Sequence, residues 1–457
     1  MKKYKYIILS VLSFFCVAST FAQRQVVSPF TRFGYGELFE PSMVFAQMGG
    51  IGNGLRSTNH INFMNAAHHS AIGKETFLFE LGAGYSVRQI RKGSLSSTSH
   101  KVGIEYFAMA FPIIPQRWGM AFGLLPFSSV NYSMVEYDNS IGARYDYSGD
   151  GGINQLKWGN AVTLFKNFSL GVNASYVFGN LTYKSMVQFA ELEAQYRAEF
   201  DEYVRTLPPD KRPRWYKEEL YRTLRTTLYN TTGFYFDFGA QYVWKFRENE
   251  SLIFGATYQH KSSLKYDETV SLKSFRRNHD LENKPDYEDI PIDTINEKIR
   301  EGLSTDLPQR ISFGVGYESQ KIRAGIDFGW QQWKNVSVFE NDYSHLENKK
   351  FLKIGVERVA NNNFTNYFKR LPYRAGFHIA EMPVFYTING ADYKPIDFGV
   401  TFGTEFFLRQ TTNSFNVSFD IGRRGEIPFT NNLSEKYIIM KVKVNLKERW
   451  FFRKKID

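Results

Sequence analysis

The chain has 457 residues, 57 Lys and Arg against 46 Asp and Glu for a formal net charge of +11, and 17% aromatics made up of 42 Phe, 28 Tyr and 7 Trp. Mean hydropathy is nevertheless −0.38. Beyond the N-terminus no stretch approaches the roughly 18 consecutive apolar residues of a membrane helix, which excludes a polytopic helical membrane protein but leaves open a barrel of alternating strands.

Residues 1–22 read as an export signal: Lys2, Lys3 and Lys5 precede an apolar core from Ile7 to Phe21, and Thr20-Phe21-Ala22 supplies a small-x-small cleavage site. The single cysteine, Cys16, lies inside this segment, so the mature chain is expected to have no disulfide, no thiol catalysis and no cysteine metal site. Removing three lysines lowers the net charge to 11 − 3 = +8. A basic exported protein points to outer-membrane lipid, lipopolysaccharide or cell-surface partners, and to no nucleic acid.

Residues 23–73 are rich in Gly, Asn, Ser and His and lack a sustained strand pattern. From 74 to 450 period-two alternation takes over. Phe234, Phe236, Phe238, Ala240, Tyr242 and Trp244 alternate with Tyr235, Asp237, Gly239 and Gln241. Ile326, Phe328 and Trp330 stand against Asp327 and Gly329, and near the end Ile438, Met440, Val442 and Val444 stand against Lys441, Lys443 and Asn445. About fourteen strands are expected, near 74–92, 100–113, 117–138, 153–165, 168–186, 229–246, 251–273, 308–319, 322–338, 350–360, 371–383, 395–409, 412–424 and 435–449. Many exceed the 5–6 residues of ordinary strands and reach the 9–11 needed to cross a bilayer. Tight turns at 115–116, 166–167, 248–250, 319–321 and 410–411 alternate with longer loops at 139–152, 187–228, 274–307, 339–349, 384–394 and 425–434. An even strand number with short periplasmic turns and long external loops is the pattern of an outer-membrane β-barrel. Residues 23–73 then become an N-terminal hatch, a plug that suits a lumen of this width. Residues 451–457 form a C-terminal tail.

With these segments in place, the chain resembles the long-chain fatty acid transporter (FadL-type) family of outer-membrane barrels. The resemblance rests on Ala46-Gln47-Met48-Gly49-Gly50-Ile51-Gly52 and Asn62-Phe63-Met64-Asn65-Ala66-Ala67 in the hatch, Gly151-Gly152-Ile153-Asn154-Gln155, Leu307-Pro308-Gln309-Arg310-Ile311, and Asp327-Phe328-Gly329-Trp330-Gln331-Gln332-Trp333. The family's Asn-Pro-Ala corresponds here to Asn65-Ala66-Ala67, without the proline. The resemblance implies a fourteen-stranded barrel with a hatch, and uptake of hydrophobic, fatty-acid-like molecules. Relatives of this shape also serve type IX secretion.

His60, His68 and His69 sit together in the hatch, but with no carboxylate beside them in the sequence and no zinc spacing they read as packed histidines; no metal or cofactor is expected. No nucleophile system with a partnered histidine is recognisable, so the chain is read as no enzyme. In the loop 187–228, Glu191, Glu193, Glu199, Asp201 and Glu202 are followed by Lys211, Arg212, Arg214, Lys217, Arg222 and Arg225, and apolar residues at helical spacing suggest two antiparallel helices over the external mouth. Phe107, Phe127 and Tyr235 are the expected substrate lining, Gly49, Gly50, Gly52, Asn65, Ala66 and Ala67 the working parts of the hatch, and Pro126 a strand kink that opens the wall, since proline cannot donate to the ladder. The leading expectation is a hatch-gated transporter for hydrophobic small molecules, the alternative a scaffold or partner protein of an outer-membrane secretion machinery. An open lumen with an apolar pocket favours the first, and a lumen packed with hatch side chains the second.

Overall fold

A computed structural model describes residues 28–39, 45–74, 76–189, 198, 202–211, 222–276, 290–334, 336–339, 346–361, 365–388, 391–408, 413–425 and 433–449. The export signal, the start of the hatch, the C-terminal tail and the centre of the 187–228 loop lie outside these residues.

Fourteen antiparallel strands close into a barrel. They are strand 1 (Thr76–Lys92), strand 2 (Leu95–Ile114), strand 3 (Trp118–Ser129 continued by Tyr132–Asp138), strand 4 (Ala143–Leu164), strand 5 (Phe168–Gln188) and strand 6 (Arg222–Arg247). Strand 7 (Glu250–Gln259 with Ser262–Arg276) and strand 8 (Ile290–Leu307 with Gln309–Ser319) are likewise interrupted once. The rest are strand 9 (Ile322–Gln332), strand 10 (Lys349–Arg358), strand 11 (Tyr373–Glu381), strand 12 (Ile396–Phe407), strand 13 (Ser414–Gly425) and strand 14 (Ser434–Arg449). Strand 1 pairs with strand 14 from Thr76↔Arg449 to Arg91↔Ser434, so the sheet closes on itself as a membrane-spanning sheet must. Among the described residues no helix is long and apolar enough to cross a membrane.

The alternation places apolar side chains outward and polar ones inward. Phe234 is 62% exposed while its neighbour Tyr235 is 4% exposed, and Phe328 at 50% stands beside Asp327 at 1%. In strand 14, Ile438 faces out, and Lys443 and Asn445 are buried inside.

Three expected loops are shorter than the sequence pattern indicates. Residues 143–152, 222–228 and 290–307 are strands that continue beyond the apolar band: Arg222–Thr226 pair with strand 7, and 290–307 pair with 262–276. Leu224, expected in the second helix, instead lies opposite Met186 and Lys273 in a ladder. Residues 198 and 202–206 are helical, and the rest of the two expected helices, 190–197, 199–201 and 212–221, lies outside the described residues.

The seam between strands 2 and 3 departs from this regularity. Their ladder runs only from Phe107↔Leu124 to Ile114↔Trp118. Above it strand 2 pairs with strand 1 alone, and hatch residues Glu37 and Leu38 pair instead with Ser129 and Ser128 of strand 3. Phe39 N–H donates to Phe127 O at 3.0 Å, so the hatch borders an opening in the wall.

Candidate functional site

The candidate site is the lumen where hatch meets wall. Short hatch turns at Phe45–Met48 and Ala66–Ala71 lie against strands whose inward positions are glycine. A Cβ at Gly255 would collide with Asn53 O, and one at Gly376 with Gly49 N. Wall glycines thus let hatch backbone lie directly on the sheet, as expected where two backbones approach closely.

The hatch residues singled out in the sequence all make wall or hatch contacts. Gly49 holds φ +69° and donates its N–H to Thr401 Oγ1 at 2.7 Å; a side chain there would meet Phe377 O and Ile354 O. Gly50 adopts φ +76°. Gly52 N–H donates to Asp327 Oδ2 at 2.7 Å, and Asn53 N–H to the same oxygen at 2.9 Å. Asn65 caps its turn by accepting from Ala67 N–H at 3.1 Å, and its Nδ2 donates to Asn53 O and Ala240 O, both at 3.2 Å. Ala66 and Ala67 are fully buried. Asn65 thus supplies the turn's N-cap without the family's proline.

Ionic clamps surround these contacts. Toward the loop end, Glu37 of the hatch bridges Arg88 (2.9 Å) and Arg424 (2.8 Å). Burial alone would push the Glu37 carboxyl up, but the two guanidinium groups overcome it and hold it well below the usual range. Toward the turn end, Arg374 donates to Glu357 and Glu405 at 2.9 Å, to hatch Gln47 Oε1 at 3.0 Å and to Asn416 Oδ1 at 3.1 Å. His60 Nε2 lies 3.3 Å from Glu405, and Lys443 pairs with Glu80 at 3.2 Å. Buried charges persist only when paired and hydrogen-bonded in this way.

The histidines do not gather around a common point. His68 bonds through Nδ1 to Leu55 O (3.2 Å) and through Nε2 to His60 O (3.0 Å), and His69 Nε2 bonds to Asn173 Oδ1 (3.0 Å). Burial lowers His68 to about 4 and His69 to about 3, so both rings are neutral near pH 7.

The three expected lining aromatics separate. Phe127 and Tyr235 are brought together inside, 5.9 Å between ring centroids, yet they pack with Tyr35, Tyr229, Tyr266 and Phe339 in a buried cluster. Tyr235 O–H donates to Gln155 Oε1 at 2.7 Å. Phe107 faces outward, packed on Phe79 at 4.8 Å and paired with Leu124, which is 44% exposed. A β-bulge explains this. Gly82 pairs with Tyr106 and Ala83 with Ile104, so Glu105 is an extra residue that turns Tyr106 inward and Phe107 toward lipid. Pro126 sits at a second irregularity, between pairs Pro126↔Asn154 and Ser128↔Ile153, which leaves Phe127 as the unpaired residue beside the seam opening.

Two cavities flank the hatch. One, about 500 Å³, lies behind the open seam, lined by Phe39, Lys101, Ile104, Tyr106, Leu125 and Pro126 with many charged groups deeper in. The other, about 660 Å³, lies at the turn end. Arg374, Glu37 and wall glycines such as Gly255 and Gly376 were not singled out in the sequence, and Asp327 was named there only within an alternating run and a motif; for the wall residues the signal is a charge or a glycine at an inward strand position.

A family model described as BamG matches residues 1–457. By sequence, no curated protein matches the chain. Among solved structures, the toluene transporter TodX of Pseudomonas putida is similar at 16% identity and TM-score 0.56, over 92% of this chain and 98% of that one. A second TodX structure gives 14% identity and TM-score 0.58 over 93% and 100%. A FadL homologue of Pseudomonas aeruginosa gives 14% and 0.50, over 92% and 98%. At such identities the likeness establishes the fold alone, a closed antiparallel β-barrel like that of these structures.

Proposed function

We propose that this chain, which belongs to the BamG family, resides in the outer membrane as a barrel held shut by its hatch and serves as a membrane-embedded scaffold for partner proteins of an outer-membrane secretion machinery. The observation that carries this reading is the filled lumen. The inward aromatics expected to line a substrate path pack against one another in a core. Buried ion pairs of Glu37 with Arg88 and Arg424 join hatch to wall at the loop end, and the Arg374–Gln47 hydrogen bond and the His60–Glu405 contact join them at the turn end. Removing one partner of such a buried pair costs about 3–5 kcal/mol because the other charge is left buried and unpaired, so these contacts hold the hatch in place. The aromatic outer surface suits a lipid and lipopolysaccharide environment.

One observation favours a second reading, a channel for hydrophobic small molecules. The short ladder between strands 2 and 3 leaves an opening beside Pro126 with a cavity behind it, by which an apolar compound could pass between lumen and bilayer without displacing the whole hatch. Cross-linking and native mass spectrometry of the barrel extracted from its own membrane separate the two. Stoichiometric protein partners with no uptake defect in a strain carrying a cross-linked hatch support the scaffold; a lone barrel whose cross-linked hatch or blocked seam stops uptake of a hydrophobic compound supports the channel.

A further inference from the structure

The cavity at the turn end contains a cation that the folded chain does not neutralise. Arg56, from the hatch, donates through Nη1 to Ser169 Oγ and Gln241 Oε1 at 3.0 Å and to Ala67 O at 3.5 Å, and through Nη2 to Ser70 Oγ at 3.0 Å. All four acceptors are neutral. A guanidinium has five N–H donors, two of them on Nη2 and one on Nε. The Nε–H and one Nη2–H of Arg56 therefore have no acceptor among the described residues.

The surroundings do not supply the missing charge. Glu318 attracts Arg56 only from beyond ion-pair distance, and its own carboxylate is taken by Arg323 at 2.6 Å. The other two acids lining the cavity are also engaged, Glu357 by Arg323 and Arg374, and Glu405 by Arg374. Lys166 and Lys245 line the same cavity, exposed and without an ion pair among the described residues. The lining includes turn residues Gln116, Lys166 and Asn167, which places it at the periplasmic end if short turns face the periplasm. Its volume, about 660 Å³, is that of a small-molecule site.

We propose that this cavity binds a small anionic ligand, entering from the periplasm, that presents a carboxylate or phosphate group to the two open N–H donors of Arg56, with Lys166 and Lys245 lining the approach. Arginine offers a fixed fork to two oxygens of such a group, and charge-assisted bonds of this kind are the strong ones. The site is separate from the seam opening, and its occupancy depends on neither functional reading.

The test uses the mature barrel in a neutral detergent at low salt, titrated calorimetrically with sodium octanoate and, separately, inorganic phosphate, with chloride as the control. Saturable binding of either probe is expected in the wild type. Arg56→Gln should weaken it at least about tenfold, and the exposed Lys245→Gln about two- to threefold, the latter effect vanishing at high salt. Tighter octanoate identifies a carboxylate amphiphile, and tighter phosphate a phosphate-bearing ligand. The proposal is overturned if neither probe binds the wild type at about 10 mM, a concentration at which even a Kd of 1 mM would saturate, or if assembled Arg56→Gln binds as wild type does. Should Arg56→Gln not assemble, a Lys166→Gln/Lys245→Gln double variant decides: unchanged affinity at low salt overturns the proposal.

Discussion

Asp327 offers a direct way to loosen the hatch without touching the barrel's ladder. Its carboxylate, 1% exposed, accepts from two hatch N–H groups at 2.7 and 2.9 Å. Asp327→Ala deletes two charge-assisted bonds and leaves both donors buried without an acceptor, at about 1–3 kcal/mol per donor. Relief from burying a carboxylate offsets part of this, so a net loss of about 3 kcal/mol is expected. That corresponds to roughly a 150-fold rise in the unseated hatch population. Asp327→Asn retains an acceptor oxygen and should lose only about 1 kcal/mol, roughly fivefold. Hydrogen exchange of a peptide spanning residues 48–56, measured by mass spectrometry on barrels in detergent, reads the change directly, and single-channel conductance reads it functionally. If Asp327→Ala leaves both exchange and conductance within about twofold of wild type, where the loss above converts to far more, the hatch is not held by this carboxylate. Asp327→Leu, of comparable size but without an acceptor, should loosen the hatch as Asp327→Ala does, whereas a merely steric role would leave it near Asp327→Asn.

Other predictions concern pH, lipid contact and the hatch as a whole. His68 and His69 are held neutral by burial, below their ordinary value of 6.5. A lowered histidine pKa stabilises the fold fully above 6.5, and that stability is lost as pH falls toward about 4, by at most about 1.4 kcal/mol per pH unit for each ring; exchange of the hatch should therefore rise between pH 6.5 and 4. Glu37 is depressed as well, but from 4.5, so its contribution is intact down to about that pH and Glu37→Gln should leave the slope between 6.5 and 4.5 unchanged. Phe328→Lys, at a lipid-facing position, should cost about 2–4 kcal/mol in folding into liposomes, whereas Phe328→Leu should fold with wild-type yield. Deleting residues 24–67 should leave a heat-modifiable barrel, because the strand ladder closes without the hatch, and should increase liposome swelling by small solutes; an assembled but tight deletion barrel would show that these residues do not fill the lumen.

The barrel was legible in the sequence because lipid on one side and a polar lumen on the other impose alternation, and the runs around Phe234–Trp244 and Ile326–Trp330 carry it without interruption. Where strands leave the bilayer this constraint ends. Residues 293–299 are all exposed, so nothing in their polarity distinguishes strand from loop. Period-two reasoning also carries a phase, and one extra residue inverts it. Extrapolating down from lipid-facing Val102 and Ile104 assigns Phe107 to the lumen; the bulge at Glu105 reverses that assignment while leaving every residue's polarity plausible.

The contacts that seat the hatch were less legible still, for a related reason. A charged residue or a glycine on the lumen face of a strand satisfies the polar half of the alternation whether it meets water or another backbone. Asp327, Arg374 and Gly255 therefore look like channel lining until a partner is placed against them. Their contacts with the hatch argue against a water-filled lumen. An aqueous pore has no use for Gly255, where any side chain would strike Asn53 O, nor for Asp327, whose oxygen meets two hatch N–H groups. A wall built for close backbone approach keeps the hatch seated, and in such a barrel the seam beside Pro126, rather than the axis of the lumen, is the part of the wall free to act.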